Sequence, residues 1–354
     1  MKKFLSIVLT LAILACCAVF ATSCSESPSE VNVYCWGDYF AEGSDGYRDT
    51  IAEFEEETGI TVNLTTYETN EQLYEILSAS NSAYDVIFPS DYMVEKLIDE
   101  DLVQKLDYSK IPNSENILPR FKKLACDPDR EYTVPYLWNV TGFVYNKTMV
   151  NGSPDSWKAL WDSSLKGKIL QFDNSRDAYA IAMQLCGIDP SDFTKSDVDK
   201  ATKKLEQQKP LLKKFVMDQV FNEMEKNQSA IAPYYAGDIY NMTTNNEDLV
   251  GVLPKEGANL FVDLMCIPKA SENVDNAHKF IDFMTRADVS AANSEYDTYA
   301  SPVEGAKELI EDKALTKSQL VYPPDEYLDK CYTFRNVDDE TYNYLREKFL
   351  ELKS

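Results

Sequence analysis

The sequence predicts an α/β protein built as two lobes. Short apolar strands alternate with amphipathic helices in βαβαβ order over residues 31–88, the same alternation restarts after Trp138, and 354 residues suffice for two medium domains. Strands separated by helices pair in parallel only through crossovers. Sheets covered by helices on both faces follow, with ligand-binding loops at the carboxyl ends of the strands.

The first strand spans 31–36, and a helix follows over about 47–58, where Tyr47, Ile51 and Phe54 share a face. Gly59 is its natural stop. A strand over 60–64, a helix over 70–78 and a buried strand over 85–88 that breaks at Pro89-Ser90 complete the unit. Beyond Trp138, strands are expected near 142–145, 168–172, 215–217, 229–234 and 260–267. The helix over 200–208 carries an Ala201, Leu205 stripe, and 273–286 places Ala277, Phe280, Ile281 and Met284 at helical spacing. The expected division is a first lobe over 31–138, a second over 139–265, a return to the first over 266–310, and a C-terminal helical segment, 311–354, packed back on the second.

Residues 1–23 read as a lipoprotein signal peptide, because Lys2 and Lys3 precede an apolar run over 4–20 that leads to Ala21-Thr22-Ser23-Cys24. That run is too short and too early for a convincing membrane span. The reading makes Cys24 the lipidation site and 24–30 a polar tether, and places the protein outside the cell membrane on a lipid anchor, or in a periplasm where the envelope has two membranes. An ordinary signal cut near Ala21, or a retained anchor, competes with it. Without residues 1–23 the formal charge moves from −24 to −26, since Lys2 and Lys3 go and no acid does. A field of this sign disfavours nucleic acid and gathers cations. Five cysteines besides Cys24 then remain, an odd number with no CxxC pair, so at least one thiol is free.

Single carboxylates in aromatic company recur along the chain, in Trp36-Gly37-Asp38-Tyr39, Asn174-Ser175-Arg176-Asp177, Tyr234-Tyr235-Ala236-Gly237-Asp238 and Phe261-Val262-Asp263. Acid plus ring suits an organic cation, which needs an anion once dehydrated and is drawn to electron-rich ring faces. Asp263 carries the sharpest signal, because the neighbours within 260–267 are all apolar and a buried lone carboxylate requires a partner. That partner is either an internal Arg or Lys or a ligand ammonium. Asp177 and Asp238 each open a helix, where capping alone explains an acid. Asp38 equally fits a turn. Trp36, Tyr92, Tyr235, Phe261 and Tyr299 fit core packing, although Trp36 and Tyr92 lie where loops begin. Ser90 offers a hydroxyl or simply shapes its turn.

Enzyme signatures are missing: the chain has no GxSxG, GxGxxG, Walker loop or HExxH. No cofactor is implied. His278, the sole histidine, falls on the polar side of its helix beside Lys279 and is expected to be a solvated surface imidazole.

The stretches VNVYCWGDYF, FEEETGITVNLTTYETNEQLYEIL, AYDVIFPSDYMVEKL, YTVPYLW, LPKEGANLFVDLMCIP and HKFIDFMTRADV together resemble the spermidine/putrescine-binding proteins of bacterial ABC importers, in family order from about Val31 to the C-terminus. The resemblance implies a type II periplasmic-binding-protein fold, with mixed sheets flanked by helices and a hinge near 136–142 and 267–271. It further implies a monomer that captures polyamine between its lobes and delivers it to a membrane permease, without catalysis. It assigns Trp36, Asp38, Tyr39, Ser90 and Tyr92 to the first lobe's side of the cleft, and Asp177, Tyr235, Asp238, Phe261 and Asp263 to the second's, with Tyr299 a further wall residue. Asn174 stands where spermidine-preferring members place an acid, Gly37 replaces a hydroxyl residue, and Tyr235 and Phe261 replace indoles. Two other readings stand beside it: a ferric-ion site at Tyr234-Tyr235, whose oxygen ligands suit a hard cation, and an exported carboxylate-dependent hydrolase.

Overall fold

The computed structural model describes residues 29–37, 39–79 and 83–354. The expected signal peptide, Cys24, most of the tether and Asp38 lie outside these residues. Among those described, no helix is long and apolar enough to cross a membrane.

In the first lobe, β1 (Glu30–Trp36) leads to α1 (Thr50–Thr58), β2 (Thr61–Tyr67), α2 (Asn70–Ser78), the short β3 (Val86–Ile87) and α3 (Asp91–Asp99). β1 lies between β2 and β3, parallel to both, so the expected βαβαβ unit is present. α1 starts three residues later than the apolar spacing suggested. Asp49 caps it by accepting from the Ala52 N–H, which leaves Tyr47 outside the helix, 40% exposed and edge-on to Tyr296. The helix ends as expected at Gly59, whose φ of 69° only glycine adopts without strain. Phe54 is fully buried and meets Phe280 and Phe283, and each such ring contributes about 2 kcal/mol by leaving water.

After β4 (Val103–Gln104), one long strand ties the two lobes together. β5 (Val134–Asn146) is buried at all 13 positions. The second lobe follows with β6 (Ile169–Phe172), α4 (Ser175–Leu185), α5 (Lys195–Gln208), β7 (Leu212–Val216), α6 (Gln219–Glu225), β8 (Ile231–Tyr235), α7 (Ala236–Asn245) and β9 (Leu249–Val252). β10 (Leu260–Met265) and β11 (Ile267–Pro268) return to the first lobe, followed by α8 (Val274–Met284), α9 (Ala287–Asp297), several short helical turns and α10 (Asp339–Lys353). β10 pairs antiparallel with residues 134–140 of β5, whereas residues 141–146 pair with β8 and β9. The first crossing therefore falls within a continuous strand.

Two separate cores result. Val33, Phe54, Phe88, Leu264 and Phe280 belong to one, and Phe143, Trp157, Phe172, Tyr179 and Leu205 to the other. Leu260, Val262, Leu264 and Met265 pack in the first core, so the second crossing lies near 257–260 rather than 267–271. β10 makes that choice by pairing with the first half of β5. Leu315, Val321 and Leu328 also stay with the first core, and of the expected 311–354 segment the helix α10 reaches back, through Leu345, Phe349 and Leu352. A third crossing joins them near Tyr332, whose N–H donates to the Ala258 carbonyl at 3.1 Å while its carbonyl accepts from the Leu260 N–H at 2.8 Å.

His278 is not on the surface. It is 2% exposed, its Nε2 accepts from the Asp107 N–H at 2.9 Å and its Nδ1 lies 2.7 Å from the Val274 carbonyl, so the ring ties α8 to the turn before residue 108. Charged neighbours in sequence had suggested a polar face, but the turn packed over that face closes it. Cys35, Cys126, Cys186, Cys266 and Cys331 are free thiols.

The crossings leave no room at Gly257. Its φ is +88°, its carbonyl accepts from Trp157 Nε1 at 3.1 Å, and an added Cβ would sit 2.2 Å from the Lys330 carbonyl oxygen. Gly257→Ala should lower stability by roughly 2 kcal/mol or more in urea unfolding, because strain and the backbone clash add. An unchanged midpoint would contradict this packing.

Candidate functional site

The site begins where β1 ends and β10 bulges. Trp36 donates from Nε1 to the Phe88 carbonyl at 2.9 Å and leans on Tyr67, with ring centroids 4.6 Å apart. The β10 register shifts between Asp263 and Leu264. A bulge re-aims the side chain beside it, and here the carboxylate meets two hydroxyls. Tyr39 donates to Oδ2 at 2.7 Å and Ser90 to Oδ1 at 2.8 Å. Asn70 supports that serine, since its Nδ2 donates to Ser90 Oγ at 3.2 Å and to the Tyr92 hydroxyl at 3.1 Å. Among the described residues no Lys or Arg pairs with Asp263, which is 4% exposed. Burial pushes its pKa up to about 6, against the pull of the two hydroxyl donors.

The second lobe contributes the opposite wall from two helix starts. Asn174 caps α4 by accepting from the N–H groups of Arg176 and Asp177, at 2.9 and 3.3 Å. Asp177 is thereby released from the capping role assigned to it. Its Oδ2 accepts from the Tyr235 hydroxyl at 3.3 Å. Asp238 lies in the first turn of α7, whose N-cap residue Tyr235 makes no side-chain capping bond, and accepts from the Tyr299 hydroxyl at 2.9 Å. Burial, chiefly, raises both carboxyls to about 7, with the tyrosine hydroxyls pulling the other way. Phe261 stands edge-on between Tyr235 and Tyr299, with centroids at 5.4 and 5.9 Å, so three rings form one wall.

Chemically, this arrangement is a set of acids waiting for charge. Asp238 and Asp263 each have a hydroxyl donor and no basic partner among the described residues, while Asp177 has a hydroxyl donor and feels the charge of Arg176 without an ion pair to it; burial raises all three, and each retains acceptor capacity for a cation.

Most of the expected site residues converge. Tyr39, Ser90 and Asp263 form one cluster, Asp177 and Tyr235 a second, and Asp238 and Tyr299 a third, with Phe261 between the last two. Asp263 was expected on the second lobe's side, but both of its partners belong to the first, because β10 packs there. Tyr92 turns its ring to Arg176, whose guanidinium carbon lies 3.9 Å from the ring centroid. Tyr234 and Tyr235 do not point together: Tyr234 donates to Asp218 at 2.8 Å, and burial raises both phenols, the opposite of what tyrosinate ligation requires. Asn70 and Arg176 escaped the sequence reading. Arg176 had left one signal, a base in a helix's first turn, where the dipole disfavours it.

Asp263 makes the ligand-free fold sensitive to pH in a definite direction. Its carboxyl is raised above the unfolded value, so its contribution is whole below the unfolded pKa and is lost as pH climbs from there through about 6. Asp263→Asn should therefore gain on the wild type, by on the order of 2 kcal/mol, between pH 4 and pH 8 in urea unfolding. An identical difference at both pH values would show that the carboxyl is not held near neutrality.

Comparison with known proteins spans the whole architecture. The family model for bacterial extracellular solute-binding proteins matches residues 49–320. The putrescine-binding periplasmic protein PotF of Escherichia coli is 29% identical over 374 residues, covering 100% of this chain and 98% of that protein. A putative spermidine/putrescine ABC transporter structure from Listeria monocytogenes is 36% identical with a TM-score of 0.84, covering 92% of this chain and 99% of its own. The PotD substrate-binding protein of a spermidine/putrescine ABC transporter from Streptococcus pneumoniae is 33% identical with a TM-score of 0.82, covering 92% and 98%. The matched stretch starts beside α1, runs through the second lobe and ends back in the first, so it includes Ser90, Asp177, Tyr235, Asp238, Phe261, Asp263 and Tyr299 but not Trp36 or Tyr39. On that match the chain belongs to the bacterial extracellular solute-binding protein family.

Proposed function

We propose that this protein captures an aliphatic polyamine between its lobes and hands it to an ABC permease. The observation that carries the reading is the set of three acids, Asp177, Asp238 and Asp263, each held by a hydroxyl and none in an ion pair with a Lys or Arg of the described residues. An ammonium group supplies the missing charge. Tyr235, Phe261 and Tyr299 then face the methylene chain, and their electron-rich faces add attraction for the cationic ends. Trp36, Tyr39 and Ser90 complete the first lobe's side, Asp38 is proposed as a further acid there, and Tyr92, with its ring on Arg176, stands behind them. The names of the Escherichia coli, Listeria and Streptococcus relatives point the same way.

Putrescine is favoured over spermidine. Asn174 carries no charge where spermidine-preferring members of the resembled family carry an acid, and its side chain is already committed to capping α4. The chemistry ends at capture, with the acids serving as charge partners and not as proton donors to a scissile bond. In this reading the protein acts as a monomer outside the cell membrane, held there through a lipid on Cys24.

Calorimetry tests the charge pairing directly. Putrescine should bind the wild type, and Asp263→Asn should lose at least about 2 kcal/mol of affinity, since the buried ammonium is then left without its partner. Equal affinity of the two proteins, or no binding of any aliphatic polyamine by the wild type, would overturn the assignment.

A further inference from the structure

A buried cation of the protein's own bridges the two lobes. Arg176 projects from the first turn of α4 and is 8% exposed. Its guanidinium carbon lies 3.9 Å from the ring centroid of Tyr92, 4.3 Å from that of Tyr342 and 5.4 Å from that of Phe334. Tyr92 sits on α3 of the first lobe, whereas α4 and α10, which carries Tyr342, pack in the second core. No carboxylate of a described residue forms an ion pair with Arg176. Its Nε is buried without a hydrogen-bond partner, Nη1 reaches the Arg335 carbonyl at 3.5 Å, and Tyr342 and Glu71 favour its charge. Glu71 on α2 is engaged indirectly, by accepting from the Tyr342 hydroxyl at 2.9 Å.

An arginine left this way is held chiefly by rings. A guanidinium is planar and weakly hydrated, so it stacks on aromatic faces at smaller desolvation cost than an ammonium. The box draws on both lobes, since Tyr92 belongs to one and Arg176 to the other, so parting the lobes would take it apart. The contact also joins the acid network: Tyr92 shares Asn70 with Ser90, Ser90 donates to Asp263, and Arg176 adjoins Asp177.

We propose that Arg176 is the positioning residue that keeps the lobes closed over the ligand, by filling an aromatic box of Tyr92, Tyr342 and Phe334 that assembles at closure. It does not touch the ligand. Its effect falls on release, since contacts completed after encounter govern dissociation more than association. The inference rests on the polyamine reading for its ligand, but the closure itself is measurable without one.

The test uses the full chain lacking its N-terminal apolar segment, with Arg176→Met, which keeps bulk and removes charge, and Arg176→Lys, which keeps charge and removes the plane. Stopped-flow binding of putrescine should show dissociation about tenfold faster in Arg176→Met, with association within about twofold and the putrescine-to-spermidine affinity ratio unchanged. Arg176→Lys should be only partly restored. Small-angle scattering should find ligand-free Arg176→Met more open than the wild type. Where a variant fails to fold, Tyr92→Leu removes the same contact from the other lobe and should give the same faster release. Unchanged dissociation and scattering, additive effects of Arg176→Met and Tyr92→Leu in the double variant, or a shifted ligand ratio would each overturn the proposal. If the wild type binds no polyamine, the functional reading fails, while the scattering comparison still decides the role of Arg176.

Discussion

A carboxylate taken out of water must find a positive charge or a proton, and the gap between the lobes is organised by that requirement. Asp177, Asp238 and Asp263 each accept from a hydroxyl and none is ion-paired, although the charge of Arg176 reaches Asp177. A hydroxyl satisfies one lone pair without fixing the charge, so these acids rest near the boundary between neutral and ionised. The basic residues elsewhere respect the same arrangement. Lys213 and Lys214 neutralise Glu223 on the second lobe, and Arg335 pairs with Glu95, but Arg176, next to Asp177 in sequence, is directed into rings.

The backbone explains how acids from distant parts of the chain meet. β5 belongs to both lobes, pairing with β10 in one half and with β8 and β9 in the other. Residues near its midpoint are therefore next to both walls at once: Phe261 lies opposite Asn139, and Tyr235 opposite Thr141. The strands that cross between the lobes also carry Tyr235, Phe261 and Asp263, so the two cores and these side chains share one backbone. Gly237 shows how close the walls come, since a Cβ there would lie 2.6 Å from the Thr298 carbonyl oxygen.

Much of this was legible in the sequence. The βαβαβ opening followed from apolar spacing, and Asp263 stood out as a charge in an otherwise apolar strand. Local pattern failed where a distant segment decided the outcome. β10 joined the first lobe because of its pairing with β5, which no nearby residue encodes, and this moved both the second crossing and the side to which Asp263 belongs. His278 looked solvated from its neighbours and was buried by a turn some 170 positions away. Asp177 resembled a cap until Asn174 was seen to cap α4 itself, and Asp238 did until its carboxylate was found on the Tyr299 hydroxyl. Arg176 was passed over because an arginine beside an acid reads as its partner, whereas its partners are rings brought in from three separate segments.

A crystal structure grown with putrescine is the most direct measurement of the central claim. The account predicts the two nitrogen atoms within about 3 Å of carboxylate oxygens drawn from Asp177, Asp238 and Asp263, with the carbon chain against Tyr235, Phe261 and Tyr299. A diamine seated elsewhere, or acids turned away from it and still held only by their hydroxyl partners, would contradict the account.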